Sequence, residues 1–163
     1  MDKISIEEYR AEYQQEIVEL ILQIQQQEYG IQITKEDQPD LFEIESFYQK
    51  GNGNFFVAIR NNEVIGTISL LDIENDQVAL RKMFVKKEYR GSLYKTASSL
   101  LTRAMDYASE KGVKQIYLGT TPEFLSAHRF YEKNGFIQID QEELPSKFPL
   151  VKVDRLFYMY KFK

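Results

Sequence analysis

Residues 80–101 pass from a strand-like run, Leu80–Arg81–Lys82–Met83–Phe84–Val85, through the basic turn Tyr89–Arg90–Gly91, into a helix. Ala97, Leu100, Leu101, Ala104, Met105 and Ala108 form its apolar stripe. A strand that feeds a tight turn and then a helix aims backbone N–H groups and the positive helix end at one point, which suits a phosphate. Further on, Arg129–Phe130–Tyr131–Glu132–Lys133–Asn134–Gly135–Phe136 reads as a short aromatic helix that stops at glycine and turns into another strand. That helix can bring a tyrosine hydroxyl beside the same point. A β-α-β crossover of this kind demands a sheet with helices on its faces.

Composition narrows the rest. A chain of 163 residues, 43% hydrophobic and 13% aromatic, suits a single domain over residues 1–163 with a real core. The formal charge of −4 argues against nucleic-acid binding, which relies on neutralising phosphates. Without cysteine there is no disulfide, thiolate metal site or cysteine nucleophile, and a single histidine excludes a poly-histidine metal site, so no metal is expected. Met1–Asp2–Lys3 opens no apolar signal region and no run approaches a membrane span, so a cytoplasmic location is the default expectation.

The periodicities give a full element order. Ile4, Ile6 and Tyr9 suggest a first strand. Residues 12–28 read as a helix with Ile17, Leu20, Ile21 and Ile24 on one face, glutamines on the other and Gly30 as its stop. A second helix is expected over 40–50, with Asp40 as its N-cap. Residues 55–60 and 64–71 form a hairpin about Asn61–Asn62, and 77–85 follow as the next strand. A helix over 94–111, a strand over 115–120, a helix over 124–133 and strands over 136–139 and 155–162 complete the chain. Residues 144–153, with Pro145 and Pro149, are loop-like. The order β-α-α-β-β-β-α-β-α-β-β specifies a mixed α/β sheet.

Both segments and the order resemble the GNAT superfamily, the acyl-CoA-dependent N-acyltransferases. Tyr89–Arg90–Gly91 and the residues to Leu101 are similar to the family turn whose amides hold the CoA pyrophosphate; Gly91 is retained, Ala97 fits the last small position and Lys95 replaces an inner glycine. The resemblance implies a mostly antiparallel sheet splayed between its fourth and fifth strands. It implies acetyl-CoA as co-substrate, bound by Met83, Phe84 and Val85 along the pantetheine arm and by Arg90, Gly91, Lys95, Thr96, Ala97 and Ser98 at the phosphates, with Lys133 nearby. Residues 127–136 resemble the family pattern Ala-x-x-Phe-Tyr-x-Lys-x-Gly-Phe, which makes Tyr131 the general acid toward the departing thiolate. An asparagine that often contacts pantetheine is Phe124 here. Dimerisation is common in the family.

N-acylation needs a neutral amine, hence a proton acceptor. The family often supplies a glutamate on the fourth strand, where this chain has Ala79. Asp72, Glu74, Asp76, Glu28 and Glu36 are the acidic alternatives, and His128 the only imidazole. The expected activity is acetyl transfer from acetyl-CoA to a primary amine of a small molecule or peptide. Ala79 and Lys95 leave open an acyl-CoA-binding sensor with little catalysis, and a partner-binding domain without CoA is a third reading. Residues 38–41, 144–149 and 153–154 resemble segments of a bacterial subgroup of the family, in loops expected to flank the acceptor.

Overall fold

A computed structural model describes residues 3–163; the expected polar start at Met1–Asp2 lies outside them. The strands are β1 (Ser5–Glu8), β2 (Asn54–Arg60), β3 (Glu63–Asp72), β4 (Gln77–Val85), β5 (Gln115–Thr120), β6 (Ile137–Ile139) and β7 (Leu156–Lys161), and the helices α1 (Gln14–Leu22), α2 (Ile44–Tyr48), α3 (Thr96–Glu110) and α4 (Leu125–Lys133). The sheet order is β1-β2-β3-β4-β5-β7-β6. Neighbours pair antiparallel except β4 and β5, which are parallel. This is the expected mixed α/β sheet in the expected element order.

Both faces of the sheet are covered, which is why the central strands read as continuous apolar runs. Phe55, Val57 and Ile59 of β2 enter the core under α1 and α2, while Phe56 and Ala58 enter the core under α3. Gly53 precedes β2 where a Cβ would lie 2.4 Å from the Tyr48 carbonyl oxygen, so the turn after α2 admits no side chain there.

The first two helices differ from expectation. The first is α-helical only to Leu22; residues Gln23–Glu28 are π-helical, and Gly30 then takes φ 63°. Tertiary bonds explain the widened turn. Gln25, expected on a solvated face, is buried and exchanges side-chain bonds of 2.9 and 3.2 Å with Gln38, while Gln26 Nε2 donates to the Ile33 carbonyl at 2.8 Å. The second helix divides into a 3-10 turn at Pro39–Phe42 and the short α2. Asp40 does not cap it: its buried carboxylate accepts the Tyr48 hydroxyl at 2.6 Å and faces the Lys82 ammonium at 3.7 Å.

A bulge in β4 sets up the site. Thr67 pairs with Phe84 and Ser69 with Arg81, so β4 carries one more residue than β3 between the same rungs. Lys82 absorbs it with φ 55°. The Thr67 hydroxyl donates to the Lys82 carbonyl at 2.6 Å and the Ser69 hydroxyl to the Arg81 carbonyl at 2.7 Å, satisfying groups the bulge displaces. Arg81 and Lys82 therefore both reach the α2 side: the Arg81 guanidinium lies 5.9 Å from the Phe47 ring centre, and Lys82 meets Gln38 and Asp40. Thr67→Val, nearly isosteric, strands the Lys82 carbonyl. It should destabilise the protein by about 1–2 kcal/mol, lowering Tm by roughly 3–6 °C in a calorimetric scan; an unchanged Tm would remove this bond from the account of the bulge.

Candidate active site

The β4–β5 ladder runs only from Gln77↔Gln115 to Ala79↔Tyr117. Beyond it the strands part, and a cavity of about 510 Å³ opens between them. Met83, Phe84 and Val85 form one wall along the edge of β4 that β5 no longer pairs. Leu118, Gly119 and Thr120 form the facing wall. Phe124 closes part of the side, its ring 4.8 Å from Tyr29 and 6.1 Å from Phe84.

At one end lies the basic turn. Gly91, Lys95, Ala97 and Ser98 line the cavity. Gly91 has φ 97°, and Lys95 stands just before α3 in the left-handed region at φ 51°. The lysine that replaces a glycine thus adopts the backbone conformation a glycine would, at a strain on the order of 1–3 kcal/mol. Its N–H donates to the Gly91 carbonyl and its carbonyl accepts the Ser99 N–H, which hold it there. The helix begins at Thr96, later than expected, because of this turn. Of the residues expected at the co-substrate, only Thr96 does not line the cavity: its hydroxyl donates to the Tyr89 carbonyl at 3.0 Å and its side chain is buried. Its amide, with those of Ala97 and Ser98, belongs to the first helical turn, where N–H groups lack intrahelical acceptors. Lys95 and Lys133 line the cavity without an ion pair among the described residues. Arg90 is committed elsewhere. Its guanidinium grips both oxygens of Glu28 and its Nε donates to the Val85 carbonyl at 2.8 Å, which ties the turn to the end of the π-helical segment. That grip holds Glu28 below the usual carboxylate range.

Tyr131 enters the cavity from α4, packed against Phe130, Phe136 and Tyr158. Its hydroxyl has no hydrogen-bonding partner among the described residues. Burial, and next the negative charge of Asp154, push its pKa far above the ordinary tyrosine value. At neutral pH it is a proton donor aimed into the cavity.

Asp154 is the only carboxylate on the cavity wall among the described residues. It sits just before β7, where the Arg155 N–H donates to the Thr120 carbonyl at 3.0 Å and pins the segment against the tip of β5. A Cβ on Gly119 would lie 2.6 Å from Asp154 Oδ2, so the glycine is what lets the carboxylate approach the strand. Burial raises its pKa to about 6, with Arg81, Lys82 and Arg155 pulling the other way. The sequence places residues 153–154 in a loop expected to flank the acceptor but does not single out Asp154 as a proton acceptor; the further signal was a glycine inside a buried strand.

None of the carboxylates named from sequence lines this cavity. Asp72 accepts the Asn52 and Glu74 amides at 2.9 and 2.7 Å, Glu74 pairs with Lys147 at 3.3 Å and Asp76 with Lys114 at 3.8 Å. Glu36 borders a separate depression with Pro39 and Phe42. His128 is a buried ring whose Nε2 lies 2.8 Å from the Thr121 carbonyl oxygen. Ala79, at the last rung before the strands part, is buried in the α1–α2 core.

Comparison with known proteins agrees with this geometry. The profile of the Acetyltransferase (GNAT) family matches residues 18–136. The chain belongs to the GNAT acetyltransferase family. A GNAT acetyltransferase of Staphylococcus aureus Mu50 superposes with a TM-score of 0.95 at 43% identity, covering 98% of this chain and 99% of that one. An N-acetylaspartate synthetase of Danio rerio is 32% identical over 130 residues, 76% of this chain and 44% of that protein; the chain spans less than half the length of these curated relatives. The PaiA N-acetyltransferase of Thermoplasma acidophilum, in complex with coenzyme A, shares the fold with a TM-score of 0.75 at 21% identity, over 98% of this chain and 99% of that one.

In this GNAT protein the cavity continues past Tyr131 to a second end, formed by Arg81, Lys82, Gln25, Phe148 and Val153. Lys82 is nearly enclosed, and burial lowers its pKa to about 8 despite the neighbouring Asp40. Arg81 lies beside the Phe47 and Tyr48 rings and forms no ion pair among the described residues.

The elevated Asp154 pKa has a consequence for stability. Folding raises it above the ordinary 3.8, so the native state binds more protons between that value and about 6. The carboxyl's contribution is whole below pH 4 and falls as pH rises through 6. Asp154→Asn should therefore be more stable than the parent at pH 7.5 by about 1–2 kcal/mol, discounted for partial exposure, and nearly equal at pH 4. Paired denaturant titrations at the two pH values check this; a variant less stable at pH 7.5 would contradict it.

Proposed function

We propose that this protein transfers the acetyl group of acetyl-CoA to the primary amine of a small-molecule or peptide acceptor, with both substrates bound together and no acyl-enzyme. One observation carries this reading: the unbonded Tyr131 hydroxyl projects into the cleft where β4 and β5 part, between a cationic turn and a second, chemically distinct end. The residues fit the co-substrate. An edge of β4 that lacks a strand partner offers main-chain donors and acceptors to an amide-bearing arm such as pantetheine. The first turn of α3, with Lys95 and Lys133, suits a diphosphate. The same fold holds coenzyme A in PaiA.

The thioester supplies an activated acetyl carbonyl, so the protein's part is positioning and proton handling. Met83, Phe84 and Val85 orient the arm through their backbone, and an N–H of this strand steadies the carbonyl oxygen as it gains charge. As the nitrogen–carbon bond forms and the carbon–sulfur bond breaks, the sulfur keeps the bonding pair. Tyr131 donates its hydroxyl hydrogen to that sulfur. A hydroxyl this weakly acidic gives up its proton only as a proton from the acylated nitrogen replaces it, so Tyr131 ends the cycle unchanged. Arg90 acts at one remove, holding the phosphate turn against Glu28.

Tyr131→Phe removes the donor and leaves the packing intact, because the hydroxyl bonds nothing among the described residues. Thiol release from acetyl-CoA should drop roughly 100-fold, while acetyl-CoA affinity by calorimetric titration stays within about threefold, under 1 kcal/mol. Equal turnover in parent and variant would take Tyr131 out of the mechanism.

A further inference from the structure

The acceptor end of the cavity carries two opposite charges that do not meet. The Arg81 guanidinium stands beside the Phe47 and Tyr48 rings without a carboxylate partner among the described residues. The Asp154 carboxylate rests against Gly119 with no side-chain hydrogen bond among the described residues. Each feels the other's charge, yet they form no ion pair, and both face the cavity. The other cations are engaged or distant: Lys82 is held by Asp40 and Gln38, Arg90 by Glu28, and Lys95 and Lys133 lie at the phosphate end. Ile31, Ile33, Phe148 and Val151 make the remaining wall apolar. A separated plus and minus, in a cavity that keeps out part of the water, is the complement of a molecule with a minus and a plus at similar spacing.

We propose that the acceptor is a zwitterionic amino compound, of the free amino acid type, whose carboxylate is held by Arg81 and whose ammonium is held and deprotonated by Asp154. This rests on the acetyltransferase reading and specifies its second substrate. Protons balance through the chain's own groups. The ammonium passes one proton to Asp154, and the freed lone pair forms the bond to the acetyl carbon. The nitrogen returns a second proton to Tyr131, replacing the one donated to sulfur, and keeps the third in the amide. Asp154 then releases its proton to water, so one proton leaves per turnover.

Asp154 occupies the role for which Ala79 has no group. Four titratable or charged groups act on it: Arg81 and Lys82 from β4, Tyr131 from α4 and the adjacent Arg155; β5 contributes only Gly119 and Thr120. Their balance with burial leaves it poised near pH 6, where it is ionised at neutral pH and basic enough to take a proton. Activity should rise with pH through this titration.

The test is thiol release from acetyl-CoA with neutral and acidic amino acids, their carboxamides, the corresponding decarboxylated amines and a polyamine. Amino acids should exceed their carboxamides at least tenfold in kcat/KM. Arg81→Gln should erase that preference mainly through KM, and Arg81→Lys should restore part of it. In Asp154→Asn, kcat should fall and the rise near pH 6 should disappear. Titration of an amino acid into the coenzyme A-loaded protein gives a readout without turnover, with binding lost in Arg81→Gln while coenzyme A still binds. Equal use of carboxamides and amino acids by the unmutated protein, or a polyamine preferred over both, would overturn the zwitterion proposal and leave the acetyltransferase reading standing. Failure to bind acetyl-CoA, with no thiol release from any amine, would overturn both.

Discussion

The early end of the β4–β5 ladder governs the rest of the molecule. A parallel pair buried between helix layers ordinarily keeps its rungs, because an unpaired buried amide costs about as much as a lost hydrogen bond. Here pairing stops at Ala79 and Tyr117, and the edge of β4 beyond it faces a cavity instead of a strand. The bulge at Lys82 turns β4 away, while the hydroxyls of Thr67 and Ser69 satisfy the displaced carbonyls on the other side. From β5, the Thr120 carbonyl is taken up by the Arg155 amide, so the opening is held from both walls. The parted strands convert a closed α/β sheet into one with a cleft through its middle.

The charges in that cleft are sorted by tertiary contacts. Arg90 and Lys82 look equally available in the sequence, but each is bound to a carboxylate that does not line the cavity, Glu28 and Asp40. They fasten the π-helical segment and the Pro39 turn to β4 and its following turn. What remains toward the cavity, among the described residues, is Lys95, Lys133, Arg81 and one carboxylate, Asp154, close enough for its charge to act on Tyr131. Burial, the largest influence on both Asp154 and Tyr131, moves each toward its protonated form. The carboxyl is thereby made more basic than an exposed one, and the phenol keeps its proton at neutral pH.

Much of this was legible in residue order. The β4 limits, the β5 limits and the stops at Gly30 and Gly135 follow from periodicity and from residues that tolerate positive φ. Tyr131 and the basic turn were singled out by their resemblance to family motifs, and both line the cavity. Less legible was everything that depends on a distant partner. Asp40 has the form of an N-cap, but a buried tyrosine hydroxyl and a lysine 42 positions later claim it. Gln25 has the form of a solvated helix residue, but Gln38 buries it. Lys95 breaks the glycine pattern, yet the flanking Gly91 and Ser99 bonds hold it in the same left-handed conformation.

The sequence by itself determined the elements, their order and the basic turn that leads into α3, since these rest on spacing and on the conformational limits of single residues. Tertiary structure alone decided which charges are spent in holding the walls and which are left to meet a ligand. That choice depends on through-space neighbours: a carboxylate's pKa rises where the fold dries it, and Asp154 is buried in a seat over Gly119, thirty-five positions earlier in the chain.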